Sequence, residues 1–342
     1  MKNYILIFLS IISLNSFATD FDVTIIDSAV DFSHDYLSKY KSPHGVFNVH
    51  ENKPLDESKR RLYSFFGEYN HATHVAGIVA SYLDNSKQNK ALISNAFFIK
   101  VGSKIDANAF EKLTYFLRQT NPRVVNISIA ERYKESVAHV LKSLITEPSD
   151  SPAFINAVHE KMLDGFNTKM NEQNALWRNL FNEFPQTLFV IAAGNDHRII
   201  AGDSGNNVTL PTTWEMYKKK LLDGEIPGFK SFVAQINLPN TLTVGSFVGE
   251  VLQLSSFSNY GSNVVDILAD GDKVNSTYPD GQWKVDSGTS MAAPQISGLA
   301  ASILQSNLNL TTEELKYEIY RRSNTTHLFK NYSEMGRYYV RQ

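Results

Sequence analysis

The chain has no cysteine among its 342 residues. That excludes disulfides, thiolate metal centres, cysteine nucleophiles and the usual bacterial lipid anchor, so an exported form rests on core packing alone. An excess of one charge is also missing. Lysine and arginine number 33 against 35 aspartate and glutamate, a net −2, with no long basic or acidic block. Neither nucleic acid nor an anionic membrane is indicated as a partner. No apolar run reaches the about 20 residues of a membrane span, and no repeat, low-complexity tract or linker divides the chain. What is present is a globular composition, 42% hydrophobic and 20% charged, long enough for one large α/β domain or two ordinary ones.

Residues 1–18 read as a signal peptide. Lys2 precedes an apolar run, Tyr4–Leu14, and Ser16-Phe17-Ala18 places small residues where an export peptidase cuts. Cleavage there leaves Thr19 at the mature N-terminus and sends the chain to a periplasm or out of the cell.

Hydrophobic periodicity then alternates between two periods. Val23–Ile26 is a short β-branched run and Ala96–Val101, Arg123–Ile129, Leu188–Asp196 (ending in a Gly-Asn turn), Thr241–Ser246 and Val264–Ala269 read as further strands. Between them, helical spacing marks a buried helix starting near His71, an amphipathic one over Ala107–Thr120, and a long helical stretch through Glu131–Phe184. Lys41–Lys59 reads as polar surface loop, and Asp203–Gln235 as a second variable stretch holding a short helix, Trp214–Leu222. Two helices close the chain, Gln295–Gln305 and Thr311–Arg322, the second opened by a Thr-Thr-Glu-Glu cap pattern. Strands alternating with helices predict an α/β fold with a mostly parallel sheet covered on both faces. The expected organisation is a single domain over 19–342 with insertions at 131–184 and 203–235.

Several residues suggest chemistry. Asp27 ends its strand at the C-terminal sheet edge, where open α/β sheets build sites, although taken alone it fits a turn cap better. His71 and His74 are three apart at a helix start. A zinc reading fails for want of the Glu of "HExxH" and of a third ligand, so His74 reads as structural and His71 as a general-base candidate. Asn195 follows Gly194 at a strand end, either as a turn residue or as an amide donor aimed into a cleft. Ser290 sits at a strand-to-helix junction, where free N–H groups and the positive helix end suit an oxyanion. Pro294 is read as a first-turn residue, tolerated because no acceptor is lost there.

Gly288-Thr289-Ser290-Met291-Ala292-Ala293-Pro294, together with "DSAVD", "HATHVAG" and "AAGND", resembles the subtilisin-like serine proteases. The order Asp27, His71, Ser290 is that family's order, and Ala292 breaks the "GxSxG" elbow of the α/β-hydrolases. The resemblance runs from about Phe21 to Tyr339. It implies the three-layer subtilisin-like fold and an endopeptidase in which Ser290 is the nucleophile, His71 its base and Asp27 the orienting carboxylate. It also implies Asn195 as oxyanion donor, and a specificity pocket walled by Ser128, Ile129, Ala130, Ala193 and Gly194. A protein or peptide substrate, a monomer and no required cofactor follow.

Where the chain departs from the family pattern, further expectations arise. Ala29, Ala72 and Ala130 replace usual glycines, the last narrowing the pocket. Tyr36 stands where an aspartate ligates calcium, and Asp84–Asn95 lacks the usual calcium loop, so calcium remains conceivable but its strong site is expected to be lost. Only about eight residues precede Asp27 after the cleavage site, which leaves no room for an N-terminal prodomain. The Glu131–Phe184 insertion starts beside the pocket and is expected to shape the cleft. A non-catalytic peptide-binding relative and a maturation protease dedicated to one partner are the alternative readings.

Overall fold

The computed structural model of the protein describes residues 19–56, 69–98, 106–129, 133–145, 147–198, 209–226, 229 and 233–341. The predicted signal peptide and Ala130 lie outside these residues.

Helices and strands alternate as expected. In chain order they are β1 (Phe21–Asp27), α1 (Asp35–Ser38), β2 (Lys41–Asn48), β3 (Lys53–Pro54), α2 (Asn70–Ala80), β4 (Ala91–Phe97), α3 (Ala107–Thr120), β5 (Val124–Ile127), α4 (Tyr133–Leu144), α5 (Pro152–Glu183) and β6 (Leu188–Ala192). Then come α6 (Trp214–Leu222), β7 (Thr241–Val248), β8 (Gln253–Leu254), β9 (Ile267–Asp270), β10 (Val274–Tyr278), β11 (Gln282–Asp286), α7 (Thr289–Ser306), α8 (Thr312–Arg321), β12 (Asn324–Thr325) and β13 (Arg337–Tyr339).

The main sheet runs β12-β13-β9-β7-β6-β5-β1-β4-β2-β3, with β8 on β7. Its central pairs, from β2–β4 through β7–β9, are parallel. Chain order reverses beside β1, which has β4 on one side and β5 on the other. Such a switch point opens a crevice at the carboxyl ends of the strands. Successive residues of one strand serve opposite faces. In β6, Leu188 and Val190 join the core beneath α2, α7 and α8, while Phe189 and Ile191 join the core beneath α3 and the end of α5. This is the three-layer arrangement expected.

A third core lies apart from the sheet. It is built by α4, the first two-thirds of α5, and α6, around Tyr133, Met162, Phe166, Tyr217 and Phe229. The two predicted insertions thus pack on each other. From Trp177 onward α5 turns its apolar residues to the sheet instead. No helix of the described residues is long and apolar enough to cross a membrane.

Three expectations need correction. Lys41–Lys59 is not all loop: β2 and β3 occupy part of it, because Val46 and Phe47 are buried beside β4 and Ser42 hydrogen-bonds both oxygens of the buried Asp22. Pairing to a central strand outweighs a polar local sequence. The strand predicted at Ala96–Val101 starts earlier, at Ala91; its polar Ser94 is satisfied by Thr24 Oγ1 at 2.8 Å, and residues 99–101 lie outside the described ones. Finally, the helix predicted from Gln295 begins at Thr289, so Pro294 stands inside α7 rather than in its first turn. The fourth-preceding carbonyl, that of Ser290, has no proline N–H to accept. It accepts from Ser128 Oγ instead, at 3.3 Å.

Candidate active site

Asp27, 2% exposed, closes the central strand. Both carboxylate oxygens accept from His71 Nδ1, at 2.8 and 2.9 Å. A carboxylate only accepts, so Nδ1 carries a proton, and in the neutral ring Nε2 keeps its lone pair. The turn after Asp27 is fixed from beneath. Asn95 donates to Ile25 O and Ser28 O and accepts from Val30 N–H, all within 2.9–3.0 Å. Ser28 Oγ accepts from Ala72 N–H at 3.0 Å, tying the strand end to the first turn of α2.

Burial works against protonating His71, but the Asp27 charge and hydrogen bond outweigh it, and its pKa lies above the ordinary histidine value. His74, one turn on, is the opposite case. It is buried, its Nε2–H donates to Lys284 O at 2.9 Å, and burial holds its pKa down. It is a structural histidine. Gly77, a further turn on, permits the close approach of α2 to β10: a Cβ there would lie 2.2 Å from Thr277 Oγ1 and 2.9 Å from Thr277 N.

Ser290 is the second residue of α7, which packs directly on α2. Thr289 N–H and Oγ1 both donate to Asn195 Oδ1 at 2.9 Å. That holds the amide so its Nδ2 faces the same space as the Ser290 N–H. A Cβ at Gly288 would sit in that space, 3.3 Å from Asn195 Nδ2 and 3.6 Å from Ser290 N. Glycine therefore keeps a small opening between two N–H donors at a helix N-terminus, a place where negative oxygen is stabilised.

Among the described residues Ser290 Oγ does not bond His71; it donates to Ser128 O at 3.1 Å. Ser128 is in turn part of a buried polar chain. Ser297 Oγ donates to Asn126 Oδ1 at 2.9 Å and Asn126 Nδ2 donates to Ser128 Oγ at 2.8 Å. Gly194 N–H donates to Thr289 Oγ1 at 3.1 Å. Ile129 and Ala193 send their side chains into the core beneath the sheet, so any wall they form is main chain.

Sequence reasoning missed Ser28, Asn95, Asn126, Ser297 and Asn259. The last spans the loop after β6, donating to Ala193 O and accepting from Asp196 and Arg198 N–H at 3.0 Å. The signal was available for Asn95 and Asn126: a polar residue inside a continuous apolar run must find a partner. Tyr36, at the expected calcium-ligand position, packs its ring 5.3 Å from Trp283. Groups of three or more acidic or histidine side chains fit to hold a metal are absent among the described residues.

The sequence profile of the Subtilase family (peptidase S8) matches residues 19–335. The chain belongs to the subtilase family. Curated relatives include a subtilisin from Bacillus pumilus, 24% identical over 302 residues, covering 86% of this chain and 80% of that protein. The epidermin leader peptide-processing serine protease of Staphylococcus epidermidis is 24% identical over 306 residues, 82% of this chain and 58% of that one. Alkaline serine exoprotease A of Vibrio alginolyticus is 42% identical over 84 residues, 25% of this chain and 15% of that one. The subtilase chain thus spans under two thirds of the length of the last two. Among solved structures, a cold-adapted subtilisin-like serine proteinase matches with a TM-score of 0.56 and 21% identity, covering 96% of this chain and 91% of that one. A lanthipeptide protease matches at 0.58 and 16%, covering 92% and 85%. These share the subtilisin-like fold.

Proposed function

We propose that this subtilase is an exported serine endopeptidase that hydrolyses peptide bonds through an acyl-enzyme on Ser290. The observation that carries the reading is the Asp27–His71 pair, with Nδ1 held by both carboxylate oxygens and Nε2 left basic, at the helix that packs on α7. To act, Ser290 Oγ leaves Ser128 O and turns about χ1 to His71 Nε2. His71 takes its proton as Oγ attacks the carbonyl carbon, and returns it to the leaving amine. The oxyanion is received by the Ser290 N–H and Asn195 Nδ2. Asp27 keeps the tautomer and stabilises the imidazolium. Extended substrate adds main-chain hydrogen bonds along Ser128–Ala130 on one side, with Ala193 and Gly194 forming the facing wall. No cofactor enters these steps, and Tyr36 replaces a calcium ligand.

A fluorophosphonate probe tests this on the processed chain, residues 19–342. The parent is expected to be labelled with or without a chelator, and Ser290→Ala to be unlabelled. An unlabelled, folded parent supports the second reading, a peptide-binding relative, which the Ser290–Ser128 bond at 3.1 Å favours. Mass spectrometry of the secreted N-terminus checks export: Thr19 is expected, and Met1 would remove the signal peptide. A maturation protease dedicated to one partner shares this chemistry and differs only in substrate range.

A further inference from the structure

Among the described residues, Arg198 is a buried cation with no anion beside it. It is 4% exposed, enters none of the ion pairs among the described residues, and its Nε has no hydrogen-bond partner. Its main chain is fixed, with the N–H donating to Asn259 Oδ1 at 3.0 Å and the carbonyl accepting from Tyr260 N–H at 2.9 Å. Its stem lies against Gly224, where a Cβ would come within 2.3 Å of Arg198 Cγ. The guanidinium carbon is centred 3.8 Å over the ring of Tyr133, itself buried and bonded through its hydroxyl to Leu221 O at 3.1 Å. An aromatic face returns only part of the hydration a guanidinium loses. The planar fork is built for a carboxylate.

Position says which carboxylate. β5 and β6 are adjacent and parallel, with Ile127 in register with Ile191. Their continuations leave the sheet side by side and both touch the start of α7: Ser128 O accepts from Ser290 Oγ, and Gly194 donates to Thr289 Oγ1. Beyond Ser128 the first of these continuations leads to Tyr133, and beyond Gly194 the second leads to Arg198. Tyr133, five residues beyond Ser128, and Arg198, four beyond Gly194, therefore meet in the stacked pair.

We propose that Arg198, held over Tyr133, is the specificity-determining cation of this site and takes the side-chain carboxylate of a glutamate or aspartate immediately before the scissile bond. The proposal rests on Ser290 being the nucleophile. The test uses fluorogenic peptides identical except for that residue, as Glu, Asp, Gln or Leu, after the parent has been scored with the fluorophosphonate probe. Glutamate is expected to exceed its neutral isostere glutamine in kcat/KM by at least about tenfold. Arg198→Met is expected to bring the Glu:Gln ratio to about one, and Arg198→Lys to keep part of it. Comparing Glu with Asp tells how far the guanidinium lies from the scissile bond. A labelled parent that prefers Leu, or that shows a Glu:Gln ratio near one, overturns the proposal and leaves the serine reading standing. So does a ratio unmoved by Arg198→Met. A folded parent without labelling overturns both. If Arg198→Met fails to fold, the parent's own Glu:Gln ratio decides.

Discussion

Around the Asp27–His71 pair, the contacts that fix geometry are hydrogen bonds between buried polar groups: Asn95 under the Asp27 turn, Ser28 on α2, Thr289 on Asn195, and Ser297 through Asn126 to Ser128. In the third core, made by α4, α5 and α6, they are rings and aliphatic chains, such as Tyr133 against Phe166 at 5.6 Å and Phe166 against Phe229 at 5.5 Å. Directional bonds hold atoms to tenths of an ångström, as a site needs. Apolar packing holds volume and tolerates exchange. The third core touches the loop that follows Asn195 through the stack of Arg198 on Tyr133.

Asp27→Asn strikes hardest at the polar side of this comparison. The asparagine amide can hold His71 in the wrong tautomer, and kcat/KM is expected to fall about 10⁴-fold, the size typical of a triad losing its carboxylate. The pH profile gives an independent reading. In the parent, His71 must be neutral to act and its pKa is raised, so the acid limb of kcat/KM is expected above the ordinary histidine range. Without the Asp27 charge, burial, the largest influence, is opposed only by the weaker pull of the Asp286 charge, and that pKa falls. The acid limb of Asp27→Asn is therefore expected to move to lower pH. A limb that stays in place would mean His71 is not the titrating base.

Phe166→Ala probes the apolar side. Removing a ring that is 1% exposed costs about 3–5 kcal/mol. If the third core is a separate cooperative unit, hydrogen exchange rises first in 133–144, 152–170 and 214–222, while β1, β5 and β6 keep their protection. Loss of protection in the sheet at the same time would merge the two regions and end the contrast between them.

What was legible in the sequence follows the same division. Asp27, His71, Asn195 and Ser290 stand at ends of strongly periodic elements, so strand and helix patterns place them at one sheet edge. The α/β fold and the boundaries of α3 and α6 were readable for the same reason. β2 was not, because it pairs with β4 through Lys41 and Val46–Asn48 across an irregularity at the polar Ser42-Pro43-His44-Gly45, a contact that local sequence does not encode. The start of α7 was misplaced because a proline inside a helix normally argues for its beginning. Here the orphaned Ser290 carbonyl finds Ser128 Oγ, 162 residues away in sequence. Arg198 escaped notice as one charge in an irregular stretch; only burial makes it conspicuous.

Ser297→Ala is the mildest way to sharpen the comparison. The hydroxyl is fully buried in α7 and donates to Asn126 Oδ1 at 2.9 Å. Removing it leaves that oxygen without its donor, at about 1–3 kcal/mol, more than a methyl-for-hydroxyl exchange at a solvated site would cost. Urea denaturation should show a lower midpoint with an unchanged slope. Because the chain continues through Ser128 Oγ to the Ser290 carbonyl, the change should couple to Ser128→Ala, with a double-mutant interaction of at least about 0.5 kcal/mol. A matching pair drawn from the third core, Phe166→Ala with Phe229→Ala, whose rings lie 5.5 Å apart, tests whether apolar partners couple less. Additive Ser297 and Ser128 substitutions would show that the hydrogen bonds act singly, and that rigidity at Ser290 comes from the packing of α7 on α2 rather than from the polar chain beneath it.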